Sequence, residues 1–299
     1  METLFESITR PGRTLMHEHL TIDLSAKKNQ DANLNDDTAM KEDLSELKKS
    51  GIDTIVDVTN RCMGRDIERM SALSRGSGIN VVAATGYYKS PYLPYELSGM
   101  STSDVAKVML GEIKNGIGKS DIKAGIIGEI GTSTVITEDE RKVFKAACYA
   151  QKETGVPIYT HTTLGRLAVE QLDLLKSNGA DLSKVVIGHV DLKPDMDYYK
   201  RILDYGCYLG FDTIGKVKYQ PDEKRAENIL RLKDLGYGDR IVLSLDITRK
   251  SHLKKYGGYG HVYLFDTFLP MLAKYGLTQQ DINNMLIDNP AHVFSITTK

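Results

Sequence analysis

The sequence has few of the features that mark secreted or membrane proteins. It contains only three cysteines in 299 residues, Cys62, Cys148 and Cys207, widely spaced and without a CxxC pair, so neither a disulfide framework nor a zinc ribbon is indicated. No stretch approaches the ~20 apolar residues of a membrane-spanning helix. The amino-terminal residues lack a basic start followed by an apolar run, so we expect no signal peptide. The expected location is the reducing cytoplasm, away from membranes.

An excess of charge of either sign is also missing. Lys and Arg number 39 against 40 Asp and Glu, which gives a formal net charge of −1. General nucleic-acid binders gain affinity by neutralising phosphates, so this balance argues against a nucleic-acid partner. The content of hydrophobic residues, 41%, is that of an ordinary soluble domain. We therefore expect a small-molecule partner, and the sequence leaves open whether the chain forms a homodimer.

No low-complexity linker divides the chain, so we predict a single domain over residues 1–299. Short apolar runs recur instead, each followed by a helical pattern. The eight runs are Thr14–Leu20, Thr54–Val58, Asn80–Thr85, Ala124–Ile130, Val156–Thr160, Lys184–His189, Cys207–Asp212 and Ile241–Asp246. Eight buried strands alternating with helices over about 250–300 residues predict an α/β fold, the (β/α)8 or TIM barrel. The competing doubly wound sheet lacks its usual glycine-rich motif.

Residue types that bind metals gather where these runs end. The six candidates are His17, His19, Glu129, His161, His189 and Asp246. Residues i and i+2 of a strand face the same side, so His17 and His19 can reach one ion. The strand ends of a barrel converge on one mouth, where barrel active sites lie. Four imidazoles and two carboxylates suffice for two divalent ions, with zinc favoured and manganese or cobalt as alternatives.

Each candidate has an ordinary alternative role, and only the joint pattern favours a metal centre. A single histidine at a strand end is more often structural, and an aspartate there often caps the next helix. His261 and His292 lie outside the strand-end set and are interpreted as structural or surface residues. Cys62 follows the second run, but nothing nearby in the sequence activates its thiol.

Several motifs resemble the phosphotriesterase family, a branch of the binuclear-metal amidohydrolase barrels. They are MHEH, AGIIGEIGTS, TGVPIYTHT, VVIGHVDL, FDTIGK and SLDITRKSHLKKYGGYG, in this order and over nearly the whole chain. The resemblance implies that His17 and His19 bind one ion and that His161 and His189 bind the other. It also implies that Asp246 binds the first ion and carries the proton.

The bridge between the two ions is where this chain departs from the better-known family members. Those members use a carboxylated lysine, and counting back from THT places Glu129 at that position. The resemblance is greatest to the phosphotriesterase homology subgroup, which is expected to use a glutamate bridge. Glutamate has a shorter stem, so its strand must approach the metals more closely, and Gly128 and Gly131 permit that approach.

The loops at the mouth carry the candidate substrate contacts. Related lactonases have a tyrosine in the third loop that touches substrate, and by similarity that role falls to Tyr88, unless the tyrosines merely cover the rim. Loops seven and eight carry the basic side chains Lys216, Lys218, Arg249, Lys250 and His252. They are either solvated surface charge or an anion clamp of the kind that barrels often place there. A clamp would indicate a phosphorylated or carboxylated substrate.

The sequence therefore predicts a cytoplasmic, metal-dependent hydrolase. A metal-bridging hydroxide would attack the carbonyl of a lactone or carboxylic ester, phosphorylated sugar lactones included, and Asp246 would move the proton. Phosphotriesters could be cleaved in a side reaction. The alternatives are a TatD-type nuclease, a non-catalytic metal-binding barrel and a Schiff-base aldolase. Neutral charge, the complete ligand set and the lack of a strand lysine argue against these three in turn.

Overall fold

The structure, a computed structural model, describes residues 1–295 and is built around eight parallel strands in sequential order. The strands are β1 Thr14–Glu18, β2 Thr54–Asp57, β3 Asn80–Thr85, β4 Ile126–Thr132, β5 Ile158–Thr162, β6 Val185–Gly188, β7 Tyr208–Phe211 and β8 Ile241–Leu243. Each strand pairs in parallel with the next, from Thr14 opposite Thr54 to Leu209 opposite Ile241. The predicted (β/α)8 barrel is confirmed.

A helix follows each of the first seven strands. These helices are α1 Asp37–Lys49, α2 Ile67–Ser77, α3 Thr102–Lys114, α4 Glu138–Thr154, α5 Ala168–Ser177, α6 Met196–Leu203 and α7 Asp222–Asp234. After β8 come α8 Leu269–Lys274, α9 Gln279–Asn283 and α10 Asn289–Phe294, with π-helical turns at Leu264–Phe268 and Asn284–Asp288. None of the helices among residues 1–295 has the length and apolar character needed to cross a membrane.

Side-chain caps explain where several helices begin. The hydroxyl of Ser101 accepts a hydrogen bond from the Asp104 amide at 3.1 Å, which starts α3. Thr137 does the same for α4, accepting from the Glu140 amide at 3.2 Å, while the Glu140 carboxylate accepts from the Thr137 amide at 2.9 Å. This reciprocal pair is a capping box. Ser and Thr are among the residue types that favour the N-cap position.

The apolar core has two parts, one between the strands and the helices and one inside the barrel. The inner part contains Met16, Val56, Val58, Val82, Ala84, Ile126, Tyr159, Val186, Tyr208, Val242, Val293 and Phe294. These side chains pack against one another and form a core in the interior of the barrel. A functional site must therefore lie above the inner core, on the rim formed by the carboxyl ends of the strands.

The barrel closes differently between its last and first strands. Within residues 1–295, backbone pairing runs from β1 through to β8, and no ladder returns from β8 to β1. Side chains close the seam at the rim instead. The His17 amide donates to the Ser244 hydroxyl at 3.0 Å, and that hydroxyl donates to the Glu18 carboxylate at 2.8 Å.

Candidate metal centre

Three strands, β1, β4 and β5, and the turns beyond β1, β6 and β8 bring the six predicted ligands to the rim. Glu129 and His161 lie inside β4 and β5, because both strands continue past the predicted ends of their apolar runs, to Thr132 and Thr162. His189 and Asp246 lie just beyond β6 and β8, each in the left-handed backbone region, with φ of 59° and 54°. A residue other than glycine is uncommon there, and surrounding contacts must stabilise it.

Glu129 lies at the centre of the cluster, and its two oxygens face different histidines. Oε1 is 3.5 Å from Nε2 of His19. Oε2 is 2.9 Å from Nδ1 of His161, 3.6 Å from Nε2 of His189 and 3.7 Å from Nε2 of His17. The carboxylate is 2% exposed. One buried carboxylate thus reaches all four histidines.

Asp246 completes a second group of ligands with the histidines of β1. Its Oδ1 lies 3.2 Å from Nε2 of His19 and 3.6 Å from Nε2 of His17. Its other oxygen pairs with the Lys216 ammonium. Ligand atoms of His17, His19 and Asp246 all lie within 4.8 Å of one another, and so do those of His17, Glu129 and His189.

The chemistry of these atoms fits divalent metal ions. The Nε2 atoms of His17 and His19 are fully buried, and neither has a hydrogen-bond partner among residues 1–295. A buried polar atom without a partner is costly unless a ligand satisfies it. Imidazole nitrogen with carboxylate oxygen is the donor set of zinc, manganese and cobalt.

A shell of polar groups holds the imidazoles in place. Asp212 lies 2.8 Å from Nδ1 of His189 through Oδ1 and 3.3 Å from Nδ1 of His17 through Oδ2. The Tyr159 hydroxyl donates to the same aspartate at 2.7 Å. Nδ1 of His19 lies 2.8 Å from the Thr59 hydroxyl. These contacts leave the Nε2 atoms for a metal.

Asp212 is one residue of this site that sequence reasoning missed. It ends the seventh apolar run, in the motif FDTIGK, as Asp246 ends the eighth. The rule that selected Asp246 therefore also points to Asp212.

Tyr159 forms the floor under the metal ligands. Its ring lies edge-on to the His17 imidazole, with 4.8 Å between centroids. A Cβ at Gly210 would lie 2.5 Å from its hydroxyl, so only glycine fits beside it. A side chain at position 210 would therefore collide with the Tyr159 side chain that lies under the ligands.

The glycines beside Glu129 allow strands β4 and β5 to lie close together. A Cβ at Gly128 would come within 2.7 Å of the Tyr159 carbonyl oxygen, and one at Gly131 within 3.0 Å of the His161 Cβ. Real Cβ atoms almost never come as close to another atom as the 2.7 Å found for Gly128, so a side chain there would push the two strands apart. The close approach expected from the sequence is therefore observed.

The electrostatics keep both carboxylates ionised. Burial alone would raise the pKa of Glu129, but His161 and His17 hold it well below its usual range. Burial also opposes ionisation of Asp246, whereas the Lys216 ammonium and His19 hold its pKa well below the usual value. Two negative charges therefore face the centre at neutral pH, as a dication requires.

A cavity opens above the ligands, and both apolar and basic side chains line its walls. The apolar side chains include Ile22, Leu24, Met63, Tyr92, Leu164 and Leu192. The basic side chains include Lys28, Lys89, Lys216 and Arg249. The Tyr88 hydroxyl reaches into the cavity and lies 3.3 Å from Nδ1 of His161. An amphipathic, anionic molecule would match these walls.

The five basic residues of loops seven and eight separate in the structure. Lys216, Arg249 and His252 line the cavity, and Lys218 lines a neighbouring pocket that shares these three residues. Lys250 lines neither of the two.

Lys28 and Lys89 line the cavity although sequence reasoning missed both. Lys89 directly follows Tyr88 in the motif TGYYK, which was a usable signal. Lys28 lies in a polar stretch typical of a surface loop, and no motif marks it as part of a site.

His252 is not the cation that its sequence position suggests. Burial lowers its pKa to about 4, and the nearby Lys216 and Arg249 charges act in the same direction. Its ring stacks on Tyr259, with 5.3 Å between centroids. At pH 7 it is therefore a neutral group. Arg249 lies 3.6 Å from the Asp31 carboxylate and is only partly neutralised, since 31% of its side chain is exposed.

Comparison with known proteins gives a consistent set of curated relatives. The phosphotriesterase homology protein of Escherichia coli (strain K12) is 46% identical over 95% of this chain and 98% of its own length. An N-acetyltaurine hydrolase of Dictyostelium discoideum is 35% identical over 85% of this chain and 72% of its own. The aryldialkylphosphatase of Saccharolobus solfataricus is 35% identical, and the match covers 95% of each chain.

Solved structures agree with these relatives. The crystal structure of the E. coli phosphotriesterase homology protein, with phosphate in its active site, has a TM-score of 0.94 and covers 96% of this chain and 99% of that one. The lactonase Lmo2620 of Listeria monocytogenes has a TM-score of 0.94 at 29% identity and covers 100% of this chain and 99% of that one.

The profile of the phosphotriesterase family matches residues 4–294, nearly the whole chain. This match confirms the family that the sequence motifs resemble. It also decides against the nuclease and aldolase alternatives. The chain belongs to the phosphotriesterase family and is a metal-dependent hydrolase.

Proposed function

We propose that this protein hydrolyses small anionic lactones or carboxylic esters in the cytoplasm, with two divalent ions, zinc favoured, held by His17, His19, Glu129, His161, His189 and Asp246. The observation that carries the proposal is the central position of Glu129, whose two oxygens divide between His19 and the other three histidines. A carboxylate shared in this way suits a bridge between two cations. The lactonase among the similar structures supports the ester chemistry.

The side chains of the centre have distinct roles in this proposal. Two bound dications would supply a water-derived nucleophile and polarise the scissile carbonyl. Asp246 accepts the proton of the attacking water and passes it to the leaving oxygen, a step that needs an ionised carboxylate at the start. Burial, together with Glu129 and Asp246, raises the pKa of Tyr88 well above its usual value, so its phenol stays protonated and can donate to the substrate.

The walls of the cavity favour an anionic substrate. Lys216 and Arg249 face the cavity from loops seven and eight, joined by Lys28 and Lys89 from loops one and three. The apolar side chains that line the same cavity would hold a carbon skeleton. Phosphate in the active site of the E. coli relative supports this placement of charge. Phosphotriester hydrolysis is proposed as a side activity, since the same nucleophile can attack phosphorus.

A substrate panel on protein loaded with zinc, manganese or cobalt tests the proposal. The panel pairs a sugar lactone with its phosphorylated form, and adds a phosphotriester and N-acetyltaurine, an anionic amide. Elemental analysis should give two metals per chain, and the phosphorylated lactone should have the higher kcat/KM by at least about tenfold. A stoichiometry of one under metal excess would refute the two-metal centre. Preference for N-acetyltaurine would identify an amide hydrolase, and no turnover of either lactone would refute the proposed substrate class.

A further inference from the structure

Glu18 is the last residue of β1 and lies between the proposed metal ligands His17 and His19, and the chemistry described so far does not use it. Its carboxylate is fully buried. Oε1 accepts from the Ser244 hydroxyl and the Leu245 amide, both at 2.8 Å, and Oε2 accepts from the Ile247 amide at 3.0 Å. Three donors therefore converge on one carboxylate across the seam between β8 and β1.

Two of these donors flank Asp246. The amides of Leu245 and Ile247 belong to the residues before and after it in the chain. Asp246 itself has a left-handed backbone, with φ of 54°, which for an aspartate is stable only when neighbouring contacts hold it. Glu18 supplies such contacts on both sides. β8 has already ended at Leu243, so no strand ladder fixes this segment.

Glu18 also connects the segment around Asp246 to His17 and His19, which are the neighbours of Glu18 in the sequence. His17 donates its amide to Ser244, which in turn donates to Glu18. The Oδ1 atom of Asp246 must stay near the Nε2 atoms of His17 and His19, at 3.6 and 3.2 Å, to share a metal with them. One carboxylate thus sets the position of the β8 ligand relative to the β1 ligands.

A buried histidine stabilises this carboxylate from behind. Nε2 of His261 lies 3.8 Å from Oε2 of Glu18, and its Nδ1 lies 3.0 Å from Asp43 of α1. All three side chains are buried, with His261 fully inaccessible. His261, one of the two histidines outside the strand-end set, is therefore a link between Glu18 and the first helix.

We propose that Glu18 is a positioning residue that fixes Asp246 against His17 and His19 by holding the amides on both sides of Asp246. The inference rests on the proposed function, because it takes Asp246 to be a metal ligand. Loss of the Glu18 charge should loosen the segment around Asp246 and weaken one metal, while the fold persists. Outer-shell partners of this kind are worth about 10–100-fold in metal affinity.

The test compares Glu18→Gln with Glu112→Gln. Glu112 is also a buried carboxylate, 4% exposed, that accepts from Arg65 at 2.8 Å and from Thr85 at 2.7 Å, and it does not line the cavity. It controls for the general cost of neutralising a buried acid. Zinc is titrated into metal-free protein against a chelating dye, and amide hydrogen exchange is followed at Leu245 and Ile247. Thermal unfolding confirms that each variant is folded.

We expect Glu18→Gln to speed exchange at both amides by at least about tenfold and to weaken one zinc by about 10–100-fold. Glu112→Gln should change neither. In an Asp246→Asn background, Glu18→Gln should cost no further zinc affinity, because the two residues act on the same contact. An additive loss would overturn the proposal, and so would unchanged zinc affinity in Glu18→Gln, whether or not its amides exchange faster.

Ser244→Ala keeps the test decisive if Glu18→Gln does not fold. It removes one donor to Glu18 and the acceptor of the His17 amide, so it should shift exchange and zinc affinity in the same direction by a smaller factor. No shift in either would overturn the inference. If the wild-type chain binds fewer than two zinc ions, the proposed function fails, whereas faster exchange in the metal-free variant would still show that Glu18 holds the Asp246 segment.

Discussion

The proposed metal ligands and the basic loop residues lie at the same end of the barrel, yet their surroundings differ sharply. His17 and His19 are completely inaccessible, and Glu129 is 2% exposed. Arg249 keeps 31% of its side chain in solvent and lies near Asp31, and Lys218 is exposed beside a separate pocket. The ligands are held by strands and a buried polar shell, whereas the cations are held by loops.

This difference shows which functional groups a barrel can build with accuracy. A strand fixes direction and depth, so ligands from β1, β4 and β5 meet within a few ångströms. A loop cation is free to pair with a neighbouring acid, as Lys254 does with Glu46 and Lys255 with Asp36. Metal binding should therefore be sensitive to single changes, and anion recognition should be shared among several residues.

The largest effect is expected at Asp246. Asp246→Asn should leave the protein folded and lower kcat by ~10²–10⁴-fold, with a much smaller change in KM, because the proton moves only in the transition state. Steady-state kinetics on the best ester of the panel measure both constants. A kcat loss below about tenfold would mean that Asp246 is at most a dispensable ligand.

Glu129 tests whether the centre works as one unit. Glu129→Gln preserves shape but removes the charge that faces all four histidines, so one ion should bind more weakly by about 100-fold or more, beyond the usual cost of an outer-shell change. Zinc stoichiometry after dialysis should fall from two toward one. Retention of both ions with full activity would place the bridge elsewhere.

Arg249 and Lys250 are neighbours in sequence and provide a matched pair for the loops. Arg249→Ala should lower kcat/KM for an anionic substrate by about 10–150-fold, the worth of one charge-assisted contact. Lys250→Ala should have little effect, because Lys250 does not line the cavity. The kcat/KM of each variant is measured with the phosphorylated and the plain lactone, which shows whether the lost contact was to the phosphate. Equal losses of kcat/KM in the two variants would mean that the basic residues of these loops act only as general surface charge.

The smallest effect concerns stability and separates His252 from the true cations. Its pKa of about 4 in the folded chain lies below the unfolded value of 6.5, so the unfolded state binds the proton more readily. The wild type should therefore lose stability as the pH falls below 6.5, by about 2 kcal/mol at pH 5. His252→Gln should lack this component. Urea unfolding of both proteins at pH 7 and pH 5 measures this component. An equal loss of unfolding free energy in the wild type and in His252→Gln would contradict the prediction.

Sequence reasoning works best where strand geometry dictates the outcome. Apolar runs that alternate with helical patterns predict the barrel. The ends of these runs predict the candidate ligands, because the carboxyl ends of all strands in a parallel barrel meet at one rim. The pairing of His17 with His19 follows from the two-residue period of a strand. The role of Gly128 and Gly131 can also be predicted, because glycine beside a ligand allows its strand to approach a neighbour closely.

The parts that escape prediction depend on neighbours distant in sequence. The neutral state of His252 depends on burial and on Lys216 and Arg249, which no local pattern reveals. Lys28 lies on a polar loop whose fold places it over the mouth. The role of Glu18 arises from contacts more than 200 residues away, across the seam where the chain meets its own beginning.

The tyrosine floor determines where this protein can change in evolution. Tyr159 fills the space under the ligands so completely that Gly210 cannot acquire a side chain without a collision. Substitutions below the ligands are therefore strongly constrained, whereas residues above them, such as Leu164 and Tyr219, are exposed and can change with less cost to packing. New substrate preferences should therefore arise from the loops alone. A laboratory library aimed at a new ester should randomise the rim and leave the floor untouched.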